Sequence, residues 1–244
     1  THSAVNVIQP RASKATRRAQ APPGTRALKR GIRASHLRRL VAAGLDRASR
    51  RGIIEWAAAL VAWNILLRGA ELGVVPGHAF DPRRDAAFGA ITWRLPCADS
   101  DWLPWLTWDV VPVKDVAARH RICPMAIRRR STGPSGADPL CVFDAIVRAW
   151  TAIAGSPPPA EGRTSDAHLA IRPFFIGRRG NVWDTNDTRE LARRFAVALK
   201  LDPAEFGGKS FRIGGATDWR DVFQGDAERV IKQRGRWASD IALC

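Results

Sequence analysis

Twelve residues, Trp56 to Leu67, form the longest apolar run in the chain, interrupted only by Asn64. A bilayer needs about 20 such residues. The run is too short to span one and reads instead as a deeply buried helix, expected over Ile53 to Leu72 and ending near Gly73 and Pro76. With 244 residues and 45% hydrophobic content, the chain can bury one good core, with room for a second small one. One domain preceded by an arm is the expected organisation. The first residue is Thr1 and the single methionine is Met125, which reads as a fragment cut at its beginning, and no signal peptide is visible.

The arm is set apart by its charge. The formal net charge is +16, yet residues 1–51 hold thirteen basic side chains against one acid, Asp46, and so carry +12, while the remainder carries only +4. A basic balance of this size points to a polyanionic partner. Residues 1–34 are rich in Ala, Arg and Pro, include Pro22-Pro23-Gly24, and show no sustained apolar period. They read as a linker, expected to be disordered. Either this is a solvated basic tail or Arg26, Lys29, Arg30 and Arg33 track the phosphates of DNA, in which case each contact steepens the log-log salt slope by roughly 0.9.

Beyond the arm, Ser35 is the expected N-cap of a helix with Leu37, Leu40 and Val41 inward and Gly52 at its end. Short β-type runs follow at Ala90 to Leu95, Leu106 to Val113 and His120 to Ile122, with a hairpin around Asp115 to Arg119. Helices are expected over Val142 to Ala154 and Thr188 to Leu199, then from Ser210, Asp226 and Ser239, with a short strand at Phe174 to Ile176 and a Pro/Gly loop over Gly155 to Thr164. The fold class is therefore α+β, mainly helical, with one small antiparallel sheet. Cys97, Cys123, Cys141 and Cys244 show no C-x-x-C spacing and the five histidines form no set, so no metal, cofactor or disulfide framework is expected. No string of the form G-x-x-x-x-G-K-[ST] occurs. A reduced intracellular compartment is the default.

The last thirty-seven residues are the most informative: Lys209-Ser-Phe-Arg212-Ile-Gly-Gly-Ala-Thr, a helical stretch, then Arg234-Gly-Arg236-Trp237-Ala-Ser-Asp. Upstream lie Leu66-Leu-Arg68-Gly-Ala-Glu71-Leu and Val110-Val-Pro-Val-Lys114-Asp. In this order the strings resemble the catalytic domain of the tyrosine recombinase (phage integrase) family, over about Leu37 to Cys244. The resemblance implies that Arg68 and Arg212 clamp a DNA phosphate, that Glu71 orients Arg68, and that Lys114 protonates the leaving oxygen. Lys209 stands where most relatives have histidine and type IB topoisomerases have lysine, and Arg236 or Trp237 adds a further donor. Arginine suits such a clamp because its planar fork binds two oxygens and keeps its charge, and lysine can release a proton when desolvated among cations. Taken singly, Arg68 and Glu71 also fit an ordinary i,i+3 ion pair, and Lys114 a solvent-facing loop residue.

The chain contains no tyrosine. By resemblance the attacking tyrosine follows Arg236 by about nine positions, or two and a half helical turns, which falls just past Cys244; the chain as it stands is then inactive. The resemblance further implies duplex DNA as partner, a homo-oligomer on DNA when intact, no membrane, and a location with DNA in nucleus or nucleoid. A DNA-binding module that kept the fold without the chemistry, or a type IB topoisomerase-like enzyme, are the alternatives.

Overall fold

The computed structural model describes residues 29–95, 103–111, 123–130 and 138–235. Helix α1, Ala34–Ala42, is capped by Arg33 and not by Ser35: the Arg33 backbone is extended and its N–H donates to Nδ1 of His36 at 3.2 Å. Leu37 and Leu40 face inward. The helix stops at Ala42, with Gly44 in a left-handed turn (φ 77), well short of Gly52. Ser49 caps the next helix, its hydroxyl accepting the Gly52 N–H at 3.0 Å.

That helix, α2, spans Arg50–Asn64, and every residue from Ile54 to Asn64 is buried. A helix apolar on all sides needs neighbours on all sides, and α2 is packed by helices α4 (Val142–Ala154), α6 (Thr185–Ala198) and α7 (Ser210–Phe223). The single helix expected to Leu72 is broken: Leu66 adopts φ 55 and a separate turn, α3, covers Gly69–Leu72.

Strands β1 (Ile91–Arg94), β2 (Trp105–Val110), β3 (Cys123–Arg128) and β4 (Glu161–Gly162) make one antiparallel sheet in the order β3-β2-β1-β4. Alternation puts Ile91, Trp93, Leu106, Trp108, Val110, Met125 and Ile127 on its buried face. The expected hairpin around Asp115 to Arg119, the strand at His120 to Ile122 and the helix from Ser239 lie outside the described residues. The strand that pairs with β2 among the described residues is Cys123–Arg128, running through Pro124 opposite Asp109. Because β3 is an edge strand, the missing N–H costs no ladder bond. Phe174 to Ile176 forms only isolated bridges, Ile176 with Val182 and its neighbour Pro173 with Ala87, and serves the core through Phe174 and Phe175, which contact Trp108 at centroid distances of 5.0 and 5.8 Å. Glu161–Gly162, expected as loop, pairs with Trp93 and Arg94.

A short α5, Ala167–Ala170, precedes α6, which begins at Thr185 under the cap of Asp184, earlier than the expected Thr188. Helix α8, Ala227–Gly235, ends the described chain, with Ala227 and Ile231 buried. The class is α+β, with helices predominant and one four-stranded sheet. No helix among the described residues is long and apolar enough to cross a membrane.

The expected linker boundary at residue 34 falls too late. Arg30 N–H donates to Glu205 O at 2.9 Å and Ile32 N–H to Ser210 O at 2.8 Å, and Ile32 is fully buried. Residues 29–33 are an extended strap docked on the start of α7.

Candidate functional site

The break after α2 creates the centre of the site. In an unbroken helix the Leu66 carbonyl would accept the N–H four residues on; with Leu66 left-handed, it accepts instead from Arg212 Nη1 at 2.7 Å. Nη2 of the same guanidinium donates to the Gly235 carbonyl at 2.7 Å. Arg212 therefore joins the end of α2 to the end of α8. Its side chain is only 8% exposed, so it forms the floor of the site.

Glu71 stands between the two arginines. Its carboxylate is completely buried, accepts Arg68 Nη1 at 2.8 Å and the Arg68 backbone N–H at 2.7 Å, and lies 3.9 Å from Arg212 Nη1. Arg68 is the N-cap of α3, not a residue within a helix, and its side chain is 25% exposed. Arg68, Glu71 and Arg212, up to 144 positions apart in sequence, thus meet in one place. Lys209, exposed at the N-cap of α7, is one turn before Arg212. A buried carboxylate that accepts several N–H groups fixes guanidinium orientation, which is what planar, two-oxygen recognition of an anion needs.

Lys114, Arg236, Trp237 and Arg26 lie outside the described residues. Lys114 belongs to the stretch joining β2 to β3, and Arg236 follows the Gly235 that Arg212 grips.

Helix α7 reaches this position because two glycines let it. A Cβ on Gly215 would sit 1.9 Å from the Trp63 carbonyl, and one on Gly214 1.9 Å from the Ile32 carbonyl. At both glycines the packing partner is the protein's own backbone.

The arm cations behave differently from the expectation. Arg33 Nε donates to Asp218 at 2.6 Å and its Nη2 to Asp221, and these partners, Asp218 foremost, push its already high pKa further up. Arg30 pairs with Glu205 at 2.9 Å, and Lys29 donates to the Ala204 carbonyl. In this structure Arg33 and Arg30 are ion-paired within the fold, and all three side chains help dock the strap. Asp218, which the sequence reading missed, also accepts the Ala34 N–H at 2.6 Å and the Trp63 indole N–H at 2.8 Å. Nothing in the sequence marked it, because the groups it binds are 155 or more positions away.

A shallow cleft of about 230 Å³ lined by Arg47, Trp56, Pro139 and Arg148 lies at the opposite end of α2 from Asn64 and plays no part in this arrangement. Among the described residues no group of three His, Cys, Asp or Glu side chains is placed to hold a metal. No protein-family model matches this chain, and no curated protein matches it.

Proposed function

We propose that this chain carries most of a catalytic domain that breaks and rejoins DNA strands in the manner of tyrosine recombinases, serving site-specific recombination or integration of a mobile element. The observation that carries the reading is the meeting of Arg68, Glu71 and Arg212 beside the Gly235 carbonyl, with Lys209 at the rim. In this scheme Arg68 and Arg212 hold the non-bridging oxygens of one phosphate and stabilise the charge that develops during transfer. Lys114 and Lys209 handle protons at the leaving oxygen and the nucleophile, and Arg236 or Trp237 supplies a further N–H. The nucleophile is a tyrosine encoded after Cys244, forming a 3′-phosphotyrosyl link, and the intact protein works as a homo-oligomer on duplex DNA inside the cell.

The test extends the chain through the codons that follow Cys244 and incubates it with a nicked duplex that traps covalent intermediates. A protein–DNA adduct is expected, and Arg68→Ala lowers its formation about a hundredfold or more. Arg68 is the variant of choice because its side chain reaches the surface. A tail without tyrosine, or an Arg68→Ala protein with wild-type rates, overturns the assignment.

One feature favours a second reading, a DNA-binding module of the same fold without chemistry: Lys209 replaces the histidine of most relatives. Duplex binding without any adduct from the extended protein selects it. Relaxation of a plasmid lacking paired target sites selects a type IB topoisomerase-like activity instead.

A further inference from the structure

Glycine is explained at Gly214 and Gly215 by backbone passing against backbone. It is not so explained at Gly207 and Gly208, which precede α7. Neither residue has a left-handed φ, and the nearest atoms that a Cβ would meet are Lys29 Cδ at 3.9 Å and the Thr185 carbonyl at 3.6 Å, ordinary contact distances. The fold would accept alanine at both.

Cations ring this turn. Lys29 runs past Gly207, and the Arg189 Cβ lies 3.9 Å from the Cβ position of Gly208. Lys209 follows directly, and Arg189 and Lys209 are both exposed. Arg189 is bonded to Asn186, a neutral amide. The neighbouring acids are engaged elsewhere: Glu205 pairs with Arg30 at 2.9 Å, and Asp184 and Asp187 exchange hydrogen bonds that cap α6. Lys209 is three residues before Arg212 on α7, a spacing that makes helix neighbours, so the turn adjoins the site above.

We propose that Gly208, with Lys29, Arg189 and Lys209, seats a second backbone phosphate of duplex DNA next to the one assigned to Arg68 and Arg212, while Gly207 lies buried beneath Lys29. This rests on the DNA-rejoining reading of the site. Gly208 lets the sugar–phosphate chain touch protein backbone where a methyl group would hold it off, and the three cations supply the sequence-independent attraction that phosphates feel.

The test uses the full 244-residue chain, a fluorescent duplex and a salt titration, beside thermal melts of each variant. Gly208→Ala is expected to melt no lower than wild type and to bind duplex about tenfold more weakly. Arg189→Ala is expected to make the log-log salt slope shallower by about 0.9. Wild-type affinity in Gly208→Ala, or a lowered melting temperature that accounts for the lost binding, overturns the proposal and leaves the main site standing. Absence of duplex binding by the wild-type chain at low salt overturns both.

Discussion

Charge pairing at single residues decides much of this structure. Glu71 offsets two guanidiniums at the site, and Glu55 performs a similar task on the far flank of α2. Its carboxylate is bonded to Arg51, lies 2.7 Å from Arg194 and 3.5 Å from Arg178. Burial works against its charge, but the hydrogen bonds and charges of Arg194 and Arg51 outweigh that penalty and hold the carboxyl below the ordinary range. A folded pKa below the unfolded one means that the unfolded chain binds more protons as pH falls, so the contribution is present above the unfolded value, about 4.3, and is lost as pH drops through the folded value. Urea midpoints are therefore expected to fall on acidification below about pH 5, with a shallower fall in Glu55→Gln. Equal pH profiles for the two proteins would remove Glu55 from this account.

At the scale of elements, α7 depends on close approach on two sides. Gly215→Ala drives a methyl group into the Trp63 carbonyl, and a loss of about 2 kcal/mol or more in urea denaturation is expected. An unchanged midpoint would show that α7 can back away freely. Elements with strong local periodicity were legible: the helix Val142–Ala154 was read to the residue, ending in a left-handed Gly155. The break at Leu66 was not legible, because residues 65–67 are as apolar as the helix before them, and what stabilises the break is a guanidinium 146 positions away. No strand was expected beyond Ile122 because Pro124 reads as a stop, and only sheet order reveals an edge that tolerates it. Arg68, Glu71 and Arg212 could be picked from their strings. Their mutual distances, and the Asp218 hub, arise only when distant segments meet.

For the whole molecule, the consequential boundary is where the arm joins the body. Its composition placed that boundary at residue 34, because Lys29, Arg30 and Arg33 look like a continuation of the basic run, and their partners Ala204, Glu205, Asp218 and Asp221 are 175 or more positions away. The structure makes residues 29–33 part of the core assembly, with Ile32 fully buried. Two truncations separate the roles. Removing residues 1–28 keeps the strap, and a thermal melt close to that of the whole chain is expected. Removing residues 1–34 strips Ile32 and Arg33, and a further loss of roughly 2 to 3 kcal/mol is expected from the apolar burial alone. Equal melts for both truncations would show the strap to be dispensable.

Arg212 spans the Leu66 and Gly235 carbonyls, and its guanidinium lies 3.9 Å from Glu71. On the function proposed above, one side chain is thus both rivet and reagent. A lysine there has no fork with which to reach both carbonyls, and a neutral side chain abandons the anion as well. On that same proposal, descendants of this chain could not drift at position 212 by small steps, because one substitution would cost the join and the chemistry together.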